Sequence, residues 1–286
     1  MSDRKELGNL SNANFPVDGE GRVYHLGCKK GEIANIVLTV GDGSRAKSIG
    51  NIPGFVKELE FTSPRNFTII TGKWNDKRIS IVSSNMGYPN IDFVVRELRY
   101  CVEGPMAIVR FGTCGTPDEN ISVGDFGVTT DAIVVQRNPD AFRKGASKDI
   151  TPYVYSARIP SCEALGNLIE EEAKKLMPAE KVHRGLTASA DSFYSSQGRV
   201  DPAFDDRNAN VIDEMLEKYP DLKMIEMESA TLLDLADVAV EKVYASACAI
   251  ILAQRKKNDF LSHDEKHRLE VIAGTSCLNA LTKFEF

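Results

Sequence analysis

No stretch of this 286-residue chain approaches the ~20 consecutive apolar residues of a membrane-spanning helix, so no membrane role is expected. The first residues, Met1-Ser2-Asp3-Arg4-Lys5-Glu6, lack the apolar centre of a secretory signal, which makes a cytoplasmic location the expectation. Basic residues are in deficit: 35 Lys and Arg stand against 41 Asp and Glu, a formal charge of −6. That balance argues against a nucleic-acid partner bound through a broad basic face, and any anion must be met by a local arginine cluster. Six cysteines (Cys28, Cys101, Cys114, Cys162, Cys248 and Cys277) are scattered without a C-x-x-C pair. Several lie in apolar segments, as reduced core cysteines do. The one histidine pair, in His263-Asp264-Glu265-Lys266-His267, resembles a zincin motif but has its glutamate third instead of second. Charged neighbours make it a solvated helix face, and no metal site is expected there. The β-rich first half contains no internal repeat.

What is present is ordinary for a globular protein, with 42% apolar and 27% charged residues. Residues 1–20 are polar and aperiodic and read as an N-terminal extension. A β-branched run at 33–40 predicts a strand, followed by three more at 55–61, 66–71 and 78–83. A helix is predicted to begin near Pro89, and 106–111 reads as a short buried strand that ends in a Gly/Thr loop over 112–116. Residues 123–135 read as a strand, 137–160 as irregular, 161–177 as an amphipathic helix and 183–189 as a strand. The buried run 243–252 and a helix over 263–283 complete the chain.

Four constellations carry the chemistry. Ile225-Glu226-Met227-Glu228-Ser229-Ala230 precedes an apolar run with helical spacing. In an extended segment residues i and i+2 project to one side, so Glu226 and Glu228 could together accept from a vicinal diol such as ribose. The competing reading is that these acids only complement a helix dipole. Gly41-Asp42-Gly43-Ser44-Arg45-Ala46 ends the first strand, where glycines let backbone N–H groups approach an anion. The same run spells G-x-G-x-x-A, a dinucleotide fingerprint, but Pro53 and Gly54 interrupt the helix a Rossmann crossover needs. Arg45 inside the loop favours a compact anion such as free phosphate. Arg110 with Gly112-Thr113-Cys114-Gly115-Thr116 can gather a guanidinium, a hydroxyl and amides around one phosphate; the alternative is an ordinary turn with a surface arginine. In Ser192-Phe193-Tyr194-Ser195-Ser196-Gln197-Gly198-Arg199, Phe193 could stack on a base. Gln197 can both donate and accept and Arg199 only donate, a match for the imide edge of uracil. A polar surface loop is the alternative.

Taken in order, these motifs resemble the uridine phosphorylases of the nucleoside phosphorylase-I family, from about His25 to the C-terminal helix. The resemblance implies a single α/β domain over 21–286, with a mixed, partly barrel-like sheet flanked by helices. It implies that Gly41, Arg45, Arg110 and Thr113 hold phosphate, with Arg65 lent to the neighbouring subunit's phosphate site. His25 would be lent to the neighbour's ribose site, and Glu226, Met227 and Glu228 would contact ribose. Gly115, Phe193, Gln197, Arg199 and Arg255 would hold the base. The implied partners are uridine, inorganic phosphate as co-substrate and a second copy of the chain, with no further cofactor. Cys114 stands where the bacterial uridine enzymes have threonine. Asn66 replaces an acid where some relatives bind a cation between subunits, so no metal is expected. The rival activities are purine nucleoside phosphorolysis, nucleoside hydrolysis and catalysis-free nucleoside binding. Related purine enzymes carry an aspartate after the last core strand, where this chain has Gln254-Arg255.

Overall fold

A computed structural model describes residues 7–286, and the stretch 1–6 read above for a signal lies outside the described residues. Chain order is β1 (Ile36–Val40), α1 (Gly43–Gly50), β2 (Val56–Thr62), β3 (Thr68–Trp74), β4 (Lys77–Ser83) and α2 (Tyr88–Cys101). There follow β5 (Met106–Thr116), β6 (Phe126–Arg137), β7 (Tyr153–Tyr155), β8 (Ile159–Pro160), α3 (Glu163–Leu176) and β9 (Val182–Ala190). The last third comprises α4 (Val211–Lys218), β10 (Leu222–Glu226), α5 (Ser229–Asp237), β11 (Val243–Gln254), β12 (Asp259–Phe260) and α6 (His263–Lys283).

The strands form one mixed sheet in the order β12-β11-β6-β9-β10-β5-β1-β4-β3-β2, and β11 also pairs with β5. That extra pairing closes β5, β11, β6, β9 and β10 into a ring, so the expected partly barrel-like α/β architecture is found. Outside the ring, β2, β3 and β4 form an antiparallel meander. The β3–β4 hairpin turns on Asn75 and Asp76, both at positive φ, as a two-residue turn matched to strand twist demands. Helices α1, α3 and α6 cover one face over a core that includes Ile49, Phe111, Leu165 and Leu278. Helices α2 and α5 cover the other over Val37, Ile91, Leu98 and Leu232. Between these layers β5 is buried nearly throughout, which is why its first four residues, Met106 to Val109, are all apolar.

Two expectations are corrected. Gly112 through Thr116 are strand, not loop: β11 pairs with β5 along its whole length to Thr116, and ladder pairing overrides the turn preference of Gly and Thr. The segment 137–160 is not wholly irregular, because β7 and β8 pair with β6. Strands of three and two residues are too short to show a period. The G-x-G-x-x-A run opens only the eight-residue α1, and β1 pairs in parallel with β4 and β5. Within residues 7–20, Phe15 and Val17 pack on the core under α2 and α5, with Phe15 on Tyr100 at 4.8 Å between ring centroids, while residues 8–14 are exposed. No helix among the described residues is long and apolar enough to cross a membrane.

Strand β3 approaches β2 so closely at Gly72 that an added Cβ would lie 2.3 Å from the Val56 carbonyl oxygen. Backbone cannot yield as a side chain does, so Gly72→Ala is expected to destabilise the domain by about 1–3 kcal/mol. Urea unfolding followed through the fluorescence of Trp74, the single tryptophan, checks this; an unchanged midpoint would refute it.

Candidate active site

A cavity of about 400 Å³ opens where the ends of β1, β5 and β10 meet the turn after β9 and the first turns of α1 and α6. Among the residues singled out from sequence, Gly41, Arg45, Arg110, Thr113, Gly115, Phe193, Gln197, Arg199, Glu226, Met227 and Glu228 line it. His25, Arg65 and Arg255 do not.

One end is built on two buried arginines. Arg45 is in the first turn of α1, whose N-cap Asp42 accepts from the Arg45 N–H at 2.9 Å and from the Ser44 hydroxyl at 2.6 Å. Burial works against the Asp42 charge, but these bonds hold its carboxyl below the usual range. The Arg45 side chain donates from Nε to Glu270 Oε1 at 2.8 Å, which aims the rest of the guanidinium toward Gly41. Arg110 projects from the middle of β5, only 4% exposed. Its Nη2 bonds the Glu228 carboxylate and its Nη1 lies 3.7 Å from Glu226. Burial would lower its pKa, but Glu228 and Glu226 outweigh that and raise it. Its Nε and Nη1 are buried without a hydrogen-bond partner among the described residues. Each orphaned donor costs on the order of 1–3 kcal/mol, a cost that in native structures calls for an explanation such as a ligand. Two residues on, Gly112 leaves the room this guanidinium occupies: a Cβ there would lie 1.8 Å from Nη1.

The two glutamates divide their roles, which corrects the reading of them as a matched pair. Glu226 ends β10 and accepts from the backbone N–H groups of Glu228 (3.0 Å) and Ser229 (3.0 Å) and from the Ser189 hydroxyl. It satisfies amides at the start of α5, as the helix-dipole reading anticipated. Glu228, at the N-cap, has φ −140° and ψ −29°, so the segment is no longer extended and the i, i+2 rule fails. Its carboxylate accepts from the Gly87 N–H at 2.7 Å and bonds Arg110. Burial pushes the Glu228 carboxyl up while Arg110 pulls it down.

The other end is a short 3₁₀ turn, Ser195–Gln197, closed by Gly198 at φ 63°. Arg199 lies 3.7 Å over the Phe193 ring and donates from Nη1 to the Phe193 carbonyl (2.7 Å) and to Gln197 Oε1 (2.6 Å). Gln197 is buried with its Oε1 taken, so its Nε2 is the group available to a ligand. Arg255 stands behind the turn, donating to the carbonyls of Gln197 (2.8 Å) and Gly198 (3.3 Å), with Gly115 packed on its stem. It braces the turn instead of facing the cavity, because its guanidinium is committed to those carbonyls. No carboxylate among the described residues pairs with Arg199 or Arg255. Burial and the charge of Arg255 pull the Arg199 pKa down to about 10, still cationic at neutral pH.

His25 and Arg65 flank Tyr24 away from this chain's cavity. His25 stacks on Phe93 at 3.8 Å and its Nδ1 is 2.6 Å from the buried Glu97. Arg65 lies 4.3 Å over the Tyr24 ring. Sequence reasoning assigned no role to Asp42, Asn85, Phe260 and Lys266, which also line the cavity. Asp42 had a signal, an N-cap before a helix; the others reach the site only through tertiary folding.

Comparison with known proteins agrees with this geometry. The Phosphorylase superfamily profile matches residues 35–284. The chain is 30% identical to the uridine phosphorylase of Thermococcus kodakarensis over 256 residues, 89% of this chain and 85% of that one. It is 32% identical to a DeoD-type purine nucleoside phosphorylase of Oceanobacillus iheyensis over 219 residues, 74% of this chain and 80% of that one. A solved structure from a study of two uridine phosphorylases of Phytophthora capsici superposes with a TM-score of 0.91 at 36% identity, covering 97% of this chain and all of that one. A β5 arginine held open by Gly112, a glutamate at the α5 N-cap and these matches along nearly the whole chain lead to one conclusion: the chain belongs to the phosphorylase superfamily.

Proposed function

We propose that the chain catalyses the reversible phosphorolysis of uridine to uracil and ribose 1-phosphate, a pentosyl transfer with inorganic phosphate as co-substrate and no further cofactor. The observation that carries this reading is the pair of buried Arg110 donors without a hydrogen bond among the described residues, at a cavity that Arg45 also lines. A hydrolase would have no use for them, since water needs no anion site. Phosphate held there by Arg45, Arg110 and Thr113, near the amide of Gly41, would sit beneath the sugar.

Breaking the glycosidic bond builds positive charge on the ribose and negative charge on the departing base. The phosphate dianion stabilises the first and then captures C1′. Glu228, fixed by Gly87 and Arg110, would accept from the ribose hydroxyls beside Met227 and hold the reacting geometry. Glu226 would support it from behind. At the far end Arg199 and Gln197, beside Phe193 and Gly115, would meet the uracil anion with charge-assisted hydrogen bonds. Because no carboxylate among the described residues neutralises Arg199, its charge is free for that anion, and no general acid is required. A purine leaves best when protonated at N7, and the acids on the cavity wall are Asp42, Glu226 and Glu228, none of them in the Phe193–Arg199 turn. The Gln254 side chain, where the purine enzymes have their aspartate, is occupied by the carbonyls of Asp118 and Ile121 and the N–H groups of Lys256 and Lys257. The site would be completed by His25 and Arg65 of a second subunit in a cytoplasmic homo-oligomer, a role that fits their not lining this chain's own cavity.

Uridine incubated with phosphate is expected to give uracil and ribose 1-phosphate in equal amounts, and neither without phosphate. Phosphate-independent uracil release, or turnover of inosine in place of uridine, would overturn the reading. Arg199→Ala should lower kcat by roughly 100-fold, the scale for one preorganised donor; a loss under about threefold would contradict its role. Mixing inactive Arg65→Ala and Arg110→Ala subunits should restore roughly a quarter of wild-type activity, since half the dimers mix and each mixed dimer has one intact site. No recovery after subunit exchange would refute a shared site.

A further inference from the structure

We propose that Lys266 is a further cation of the anion end and contacts inorganic phosphate directly; the proposal rests on the phosphorolysis reading and deepens it. Helix α6 begins after Ser262, whose hydroxyl accepts from the Glu265 N–H, and the i, i+4 spacing sets Lys266 and Glu270 on one face. Glu270 is 2% exposed, and its Oε1 takes Arg45 Nε at 2.8 Å. Lys266 Nζ lies 3.6 Å from that same oxygen, too far for a hydrogen bond. The ammonium is thus drawn to the site without being locked there. Lys266 lines the cavity with Gly41, Asp42 and Arg45, and its side chain is 27% exposed, so its head is free to turn inward.

The charge at this end requires such a group. Arg45 and Arg110 are within ion-pair distance of four carboxylates: Asp42, Glu270, Glu226 and Glu228. Two cations among four acids present a net negative surface, which repels a phosphate dianion. Lys266, with an arginine lent by a neighbouring subunit, brings the two signs level. An ammonium on a flexible four-carbon stem suits the task, since it binds phosphate as a point charge and needs no fixed orientation. Its attraction acts on phosphate both before and during bond cleavage, so losing it removes uniform binding and spares the chemical step.

The test compares Lys266→Met and Lys266→Arg with the wild type. Initial rates are measured as phosphate is varied, and phosphate binding to nucleoside-free protein is measured by calorimetry. In Lys266→Met both the phosphate KM and the phosphate Kd should rise about tenfold, while kcat at saturating phosphate and the uridine KM stay within about threefold. Lys266→Arg should restore most of the phosphate affinity. A phosphate Kd and KM within about twofold of wild type in Lys266→Met would overturn the proposal. So would a parallel loss of kcat and uridine affinity, the mark of a merely distorted site. If the wild type releases no uracil, the phosphorolysis reading fails while calorimetry still decides Lys266. A wild type that binds no phosphate in the calorimeter and shows no phosphate dependence of rate overturns both.

Discussion

A guanidinium buried in the central strand of a sheet is the constraint from which the site follows. Arg110 lies in β5, in register with Thr39 of β1 and Ala247 of β11, so its backbone cannot move without disturbing both neighbours. Its charge survives burial because Glu228 and Glu226 stand beside it. Its head group has room because Gly112 carries no side chain. Those two carboxylates satisfy only part of a five-donor group. The unsatisfied remainder, Nε and Nη1, is the reason to look for an anion here and not on the protein's surface.

The two ends of the cavity differ in how their positive charge is compensated. Arg45 and Arg110 are each tied to carboxylates, an arrangement that fixes direction: Glu270 turns Arg45 inward and Glu228 holds Arg110. Among the described residues Arg199 has only neutral hydrogen-bond partners, the Phe193 carbonyl and the Gln197 amide. Its charge is therefore open to a leaving group that becomes anionic as the bond breaks, when a preorganised donor is worth most. The sugar would lie between, against Glu228 and Met227. Catalysis on this account is positioning and electrostatics, with the nucleophile supplied from solution.

Much of this was legible in the residues because local signals and tertiary structure agreed. The β-branched run before Gly41 is β1, and the helix over 263–283 is α6. Gly41 and Arg45 follow the end of β1, Glu228 follows the end of β10 and Arg199 lies in the turn after β9, while Arg110 reaches the same cavity from within β5. What failed did so where a distant partner decides. Gly112 to Thr116 have turn composition but a strand's partner in β11. Glu226 and Glu228 have strand spacing, yet the start of α5 takes one of them as a cap. Arg255 is matched to a base and bonds carbonyls instead. Lys266 and Glu270 gave no signal because their meaning depends on α6 returning across the start of α1, 225 positions after Arg45.

The claim that most directly bears testing is that the unsatisfied Arg110 donors belong to phosphate. A crystal of the wild type grown with inorganic phosphate and without nucleoside decides it. The account predicts a phosphate with an oxygen about 2.7–3.0 Å from one of the two free Arg110 donors, Nε or Nη1, and with Arg45 on its other side. A cavity whose Arg110 donors are met only by water, with phosphate absent or bound elsewhere, would contradict it.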